Sequence, residues 1–274
     1  MSFVASPILC RRPAMNTWFE IVLPGDDAEN LQAAGEAALD EIERIEKLLS
    51  RFDPASEVSR INRDAAISPV LLDVELTGIL ETCRKAWLET DGFFDIAVNR
   101  EEDANFGAID FDPDTRLIFF RNVNARLDFG GFGKGYALDC AARLLRECGV
   151  KQALLHGGTS SVLAIGNDAN EQPWRIGLRD PWKDDVVLQQ VDLSDNALST
   201  SATGKTVSDI LDPFQRQPLQ EKASCTVIAE SAAQAEVFST ALLCMGKDKV
   251  ASFVSPEIKA LWTAESPSPK IILL

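Results

Sequence analysis

The sequence predicts an α+β fold in which helices pack on largely antiparallel sheets, arranged as two intertwined lobes. Two observations carry this reading. Several long stretches repeat apolar residues every three or four positions, and several short ones run apolar or alternate. These segments follow one another neither in strict βαβ alternation nor as strands alone. With no internal repeat and no low-complexity linker, one domain is expected over residues 15–264. Residues 1–14 are expected as an N-terminal extension and 265–274 as a Pro/Ser-rich C-terminal tail.

Residues 16–23 (NTWFEIVL) read as a strand. Pro24-Gly25-Asp26-Asp27 makes a turn and supplies a helix cap. A helix then runs to about Leu49, with Leu31, Ala34, Ala38, Ile42, Ile45 and Leu49 spaced by three and four. Residues 50–70, polar and broken by Pro54 and Pro69, are expected to be irregular. A second helix spans Val74 to Glu89, with Leu76, Ile79, Leu80, Cys83 and Trp87 on one face, and ends at Asp91-Gly92. Residues 99–126 read as a loop and two short strands, of which Leu117–Phe120 is the clearest. A turn at 122–124 leads to Leu127-Asp128-Phe129 and a glycine cluster. A helix from Lys134 to Cys148 turns Ala137, Ala141, Leu144, Leu145 and Cys148 inward, and Gly149 stops it. Strands are expected at 152–156, 161–165, 174–179, 186–193 and 223–229. A helix over Ala232–Met245, a short one from Lys247 and a strand over Ile258–Thr263 complete the set.

The chain carries 27 Lys and Arg against 42 Asp and Glu, a formal charge of −15. Such a surface repels nucleic acid and anionic membranes. An anionic ligand would need a cation or a nest of N–H groups to be held. No window approaches the ~18 apolar residues of a membrane span, so no membrane insertion is expected. Met1 to Cys10 lacks the basic start and long apolar run of a signal peptide, which points to the cytoplasm. None of the six cysteines forms C-x-x-C, so they read as small hydrophobes in a reducing compartment.

Gly130-Gly131-Phe132-Gly133-Lys134-Gly135-Tyr136-Ala137 is the most informative stretch. It joins a strand to a helix. Glycines let backbone approach a ligand closely, and helix-start N–H groups attract phosphate. The spacing is not that of a P-loop, because no Ser or Thr follows the lysine, nor that of a dinucleotide fingerprint. By spacing alone, a tight strand-to-helix corner explains it equally well.

Asp128-Phe129-Gly130-Gly131-Phe132-Gly133-Lys134-Gly135-Tyr136-Ala137-Leu138-Asp139 resembles the D-L-G-G-I-A-K-G-Y-A-x-D signature of the ApbE family, the FAD:protein FMN transferases. Six further segments fall in the family's order. Met15-Asn16-Thr17 stands for M-G-T, and Ser56-Glu57-Val58-Ser59-Arg60-Ile61-Asn62 for S-E-[IV]-S-R-[IL]-N. Asp91-Gly92-Phe93-Phe94-Asp95 stands for D-G-x-F-D, and Asp212-Pro213 for the end of H-I-[IL]-D-P. Ser239-Thr240-Ala241 precedes an apolar run and Met245-Gly246, as A-T-A precedes M-G. Gly157-Gly158 also matches the start of G-G-D.

The resemblance implies an ApbE-like fold and the splitting of FAD. FMN would pass to a threonine of a partner flavoprotein, and AMP would be released with the help of Mg²⁺. It implies metal ligands at the Gly133 carbonyl, Glu236 and Thr240, the last two sharing a helix face at i, i+4. It also implies that Gly130, Gly131, Lys134 and Asp139 line the same region, with Met15, Asn62 and Asp95 along the flavin or nucleotide path. Read without the family, Glu236 is a helix charge, Thr240 a hydroxyl bonded to its own backbone, and Met15 a core residue.

Three departures bear on activity. Asp209 stands where the family has the histidine of H-I-I-D-P, and the lone histidine, His156, sits at a strand end. Glu236 replaces the metal-binding aspartate and is one methylene longer, while Thr159 replaces the aspartate of G-G-D. Asp209 and Glu236 are therefore the expected catalytic side chains. Besides transfer to threonine, two outcomes stay open: an FAD- or flavin-binding protein without turnover, and an FAD pyrophosphatase with water as acceptor.

Overall fold

A computed structural model describes residues 6–97, 104–204, 210–250, 258–266 and 271–273. The chain opens with β1 (Ile8–Ala14) and β2 (Thr17–Leu23), then α1 (Ala28–Leu49), capped by Asp27 accepting from the Asn30 amide. A smaller layer follows: α2 (Glu57–Asp64), β3 (Val70–Leu71), α3 (Val74–Glu89), β4 (Ile109–Asp112) and β5 (Leu117–Phe120). Next come α4 (Gly133–Glu147), β6 (Ala153–Gly157), β7 (Ser161–Ile165), β8 (Trp174–Arg179), β9 (Val187–Leu193) and β10 (Ala197–Ala202). The chain finishes with β11 (Ala223–Ala229), α5 (Ala232–Met245), α6 (Lys247–Val250), β12 (Lys259–Ala264) and β13 (Ile272–Leu273).

The main sheet has the order β1-β2-β6-β7-β10-β11-β12-β13, every neighbour pair antiparallel. A second antiparallel sheet, β3-β5-β4, belongs to the smaller lobe, and β8 and β9 form a separate hairpin. Helices α1, α4 and α5 lie side by side against the main sheet, and the large core fills the space between. The β8–β9 hairpin contributes Leu178 and Leu193 to a smaller core with Leu154, Val162, Leu198 and Leu261. The central strands are therefore covered on both faces, which is why β6, β7 and β11 read as continuous apolar runs rather than alternating ones.

The α+β class is as the sequence predicts, and four details differ. Residues 50–70 are not all irregular: α2 forms there, because Ser56 accepts from the Ser59 amide at 2.9 Å and Val58 and Ile61 bury on one side. Two buried positions in an eight-residue helix are too few to register as periodicity. β10 was not anticipated, since ALSTSA has little strand character of its own and pairing to β7 and β11 imposes it. Residues 8–14 pair along the whole of β2 in the main sheet. Cys148, expected inward, caps the end of α4 and is exposed. Among the described residues no helix is long and apolar enough to cross a membrane.

Candidate functional site

The glycine turn is fixed from both ends. The segment before it is irregular rather than the expected strand, and Asn62 holds it, donating to the Leu127 carbonyl at 2.9 Å and accepting from the Leu127 amide at 2.7 Å. Asp128 accepts from the Gly130 amide at 2.9 Å and pairs with Arg51 at 3.0 Å. Within the turn the Gly133 amide donates to the Phe129 carbonyl at 2.7 Å. Phe132, fully buried, stacks on Tyr136 with ring centroids 5.5 Å apart. No side chain caps the start of α4, so a partner must come from elsewhere.

That partner is on α5. Glu236, 3% exposed, accepts from the Gly135 amide at 2.6 Å and from the Lys134 ammonium at 2.6 Å. The carboxylate is thus satisfied by a helix-start N–H and a cation, which is what a buried charge requires. One turn along α4, Asp139 accepts from the amides of Ala232 and Ala233 at 2.8 and 2.9 Å, tying down the start of α5. Burial pushes the Asp139 carboxyl up to about 6, against the two amide hydrogen bonds that favour its charge. The helices come this close because of Gly135: a Cβ there would overlap the Ala232 carbonyl and sit 2.7 Å from the Ala233 Cα.

Thr240, one turn beyond Glu236, lies beside Gly131, where an added Cβ would be 3.4 Å from the Thr240 Oγ1 and 3.6 Å from Phe94. The Thr240 hydroxyl is 3.0 Å from the Ser201 hydroxyl on β10, and Ser201 is also 2.9 Å from Ser239. Above this floor opens a cavity of about 710 Å³, in the range of small-molecule sites. A neighbouring cavity of about 290 Å³ has a more apolar wall, with Met15, Leu49, Phe52 and Phe129. Lys134, Asp128, Gly130 and Arg51 belong to both.

The expected site residues divide by position. Asp95, Gly130, Gly131, Lys134, Glu236 and Thr240 line the larger cavity. Met15 and Gly133 line the smaller one. Met15 and Asn16 take φ of 49° and 59° as the two-residue turn between β1 and β2, and Glu46 accepts from the Met15 amide at 2.6 Å. The Asp95 carboxylate accepts from the amides of Ala97 at 2.7 Å and Phe106 at 2.9 Å. Asn62 and Asp139 reach neither cavity and instead hold the backbone that shapes them. Asp209 lies outside the described residues. His156 pairs across strands with Glu20, and burial lowers its pKa. Asp212 accepts from the amides of Phe214 and Gln215 in a turn, leaving Pro213 on the cavity wall.

Sequence reading missed Ser199, Thr200 and Ser201, which line the larger cavity, and Arg51 and Phe52 at its rim. The run of small hydroxyl residues over 199–203 was the available signal for the first group. For the second there was none, because that segment had no periodicity to orient it.

The donor chemistry fits a hard divalent cation. Glu236 and Thr240 present oxygens from one helix face at i, i+4, while Gly133, at the start of α4, lines the neighbouring cavity. One protein carboxylate suits Mg²⁺, which usually completes its shell with water and substrate phosphates. Among the described residues a trio of metal-ligand type, Glu41, Glu75 and Cys140, lies elsewhere. The Arg44 guanidinium already bridges its two carboxylates, at 2.8 and 2.6 Å.

A glycine turn opening a helix, faced across a cavity by a buried acid and a hydroxyl, is set in an α+β protein of helices packed on antiparallel sheets. The ApbE family model matches residues 15–262, and the chain belongs to that family. It is 26% identical over 285 aligned positions to the FAD:protein FMN transferase of Escherichia coli K12, spanning 90% of this chain and 81% of the relative. The transferase of Chlamydia pneumoniae is 24% identical over 84% of this chain and 82% of its own length. The solved ApbE protein of Thermotoga maritima superposes with a TM-score of 0.87 at 25% identity, covering 97% of each chain. The flavin transferase ApbE of Vibrio cholerae has the same fold, with a TM-score of 0.85 at 18% identity over 98% of this chain and 97% of its own. The curated relatives and the Vibrio cholerae neighbour are transferases, so this is a protein of an enzyme family.

Proposed function

We propose that the protein is an Mg²⁺-dependent FAD:protein FMN transferase that moves FMN from FAD to a threonine of a partner flavoprotein and releases AMP. One observation carries the reading: the glycine turn and the Glu236–Thr240 face of α5 form the wall of one cavity of about 710 Å³. The names of the relatives support the substrate and the product. In the transfer, the acceptor threonine oxygen bonds to the phosphorus of the FMN half. The bond from that phosphorus to the bridging oxygen breaks, AMP leaves with the electron pair, and the threonine proton passes to a base.

The chain's own groups divide this work. The Lys134 ammonium borders both cavities and would face the diphosphate. The apolar wall at Met15, Leu49, Phe52 and Phe129 suits a flat ring. Asp95 holds the loop beside the cavity. Glu236, Thr240 and the Gly133 carbonyl would hold Mg²⁺, which when bound would supply charge neutralisation at the diphosphate and at the leaving phosphate. Asp209, in the family's histidine position, is the base we assign; an ordinary aspartate titrates near ~3.9, which makes it a weak one near neutral pH. Slow turnover is the expected consequence. Six free cysteines, five of them buried, support a reducing compartment such as the cytoplasm.

The test is incubation of the protein with FAD, Mg²⁺ and a threonine-bearing acceptor, read by mass spectrometry. AMP together with acceptor carrying covalent FMN is the expected result. Free FMN and AMP would identify a pyrophosphatase, and saturable FAD binding with no product a binding protein; either outcome rejects the transferase.

A further inference from the structure

Glu236 carries two occupied oxygens in a place where a cation is expected. One accepts from the Gly135 amide, and the other from the Lys134 ammonium, both at 2.6 Å. The amide is part of α4 and is covered by α5; the ammonium stands on a flexible stem, its side chain is 23% exposed, and Lys134 borders both cavities. Among the described residues Glu236 is the ammonium's one partner. A buried carboxylate without a counter-charge is strongly unfavourable, so while this group is charged a cation must face its oxygen. Lysine is a compact point charge that can move away, unlike a guanidinium forked onto two acids.

We infer that Lys134 is an exchangeable counter-cation: it neutralises Glu236 in the metal-free protein, and an arriving divalent ion takes its place and releases the ammonium into the cavity toward the diphosphate. This rests on the transferase reading above and adds to it an order of events. Metal and ammonium compete for one oxygen when no nucleotide is present. When the diphosphate arrives it supplies the second site that lets both cations stay. Metal affinity should therefore be weak alone and strong with FAD, with Lys134 as the positioning residue that couples the two.

The experiment uses the full chain, stripped with EDTA, and follows Mn²⁺ binding by electron paramagnetic resonance without and with FAD. Lys134→Met should bind Mn²⁺ about tenfold more tightly than wild type without FAD, since the competitor is gone. The same variant should bind FAD more weakly at saturating Mn²⁺. Its melting temperature should rise on Mn²⁺ addition by more than that of wild type, because the ion replaces the lost partner of Glu236. Lys134→Arg, which keeps a cation, should show no gain in Mn²⁺ affinity. Equal or weaker Mn²⁺ binding by Lys134→Met overturns the exchange and leaves the transferase reading standing. A Lys134→Met chain that stays unfolded at saturating Mn²⁺ overturns it as well, because a replacing ion must satisfy the carboxylate. Absence of Mn²⁺ binding by wild type even with FAD overturns both.

Discussion

Helix α4 presents two different faces, and each carries its acid chemistry at i, i+4 spacing. Gly135 and Asp139 face α5, where acids meet backbone amides and a movable lysine. Tyr136 and Cys140 look toward the groups of α1 and α3, where Arg44 bridges Glu41 and Glu75 and the Tyr136 hydroxyl donates to Glu75 at 3.1 Å. On that side the guanidinium is forked onto both carboxylates and its pKa is raised, chiefly through its hydrogen bonds to Glu41 and Glu75. The Arg44 hydrogen bond also holds the Glu75 carboxyl below its ordinary range. Burial pushes the Cys140 thiol up to about 11, so it stays protonated and inert. A cluster with the composition of a metal site is therefore a closed ion-pair network, while the sparser set on the opposite face opens into a cavity. Ligand type alone does not separate the two. What separates them is whether the counter-charge is fixed on both sides or free to leave.

The sharpest way to break this contrast is Glu236→Gln. The amide keeps an acceptor for Gly135 but loses the charge, and Mg²⁺-dependent AMP release should fall by about a hundredfold or more, the scale of removing one electrostatic stabiliser. An unchanged rate in a steady-state assay would place the metal elsewhere.

Asp139 gives the next largest effect, on stability. Its folded pKa of about 6 lies above the ordinary 3.8, so the folded state binds the proton more tightly than the unfolded chain. Its contribution is present below pH 3.8 and is lost as pH rises through about 6, amounting to about 2 to 3 kcal/mol. Urea unfolding of wild type against Asp139→Asn across that interval measures it. A flat difference between the two curves would mean that Asp139 is not desolvated.

The smallest effect belongs to the closed network. The Arg44 side chain is 47% exposed, and solvent screens its pairs. Arg44→Met should cost about 1 kcal/mol of stability and leave FAD and metal binding as they were. A loss of metal binding in calorimetry would show that the two faces of α4 are coupled.

Legibility in the sequence tracked how local each feature is. The long helices α1 and α3 declared themselves by spacing, because one face of each is buried along its whole length. The glycine turn was visible as a string of glycines, but its partner was not: 101 positions separate Gly135 from Glu236. Family resemblance brought these two together before the fold did. Asn62 and Asp139 were singled out by the same resemblance, and the structure gives them backbone to hold rather than a place in either cavity at the glycine turn. Ser201 was passed over because a small hydroxyl on an unremarkable strand becomes informative only when β10 is set beside α5.

Composition, apolar spacing, the run from Asp128 to Asp139 and the colinear segments around it were enough to establish the α+β class, the major helices and the family, since these depend on neighbours in the chain and on their order along it. Which acid faces a movable cation, and which is locked by a guanidinium, emerged only once α4 was packed between α1 and α5. Burial and the direction of a charge are set by distant segments closing around it, and no residue carries that information by its type.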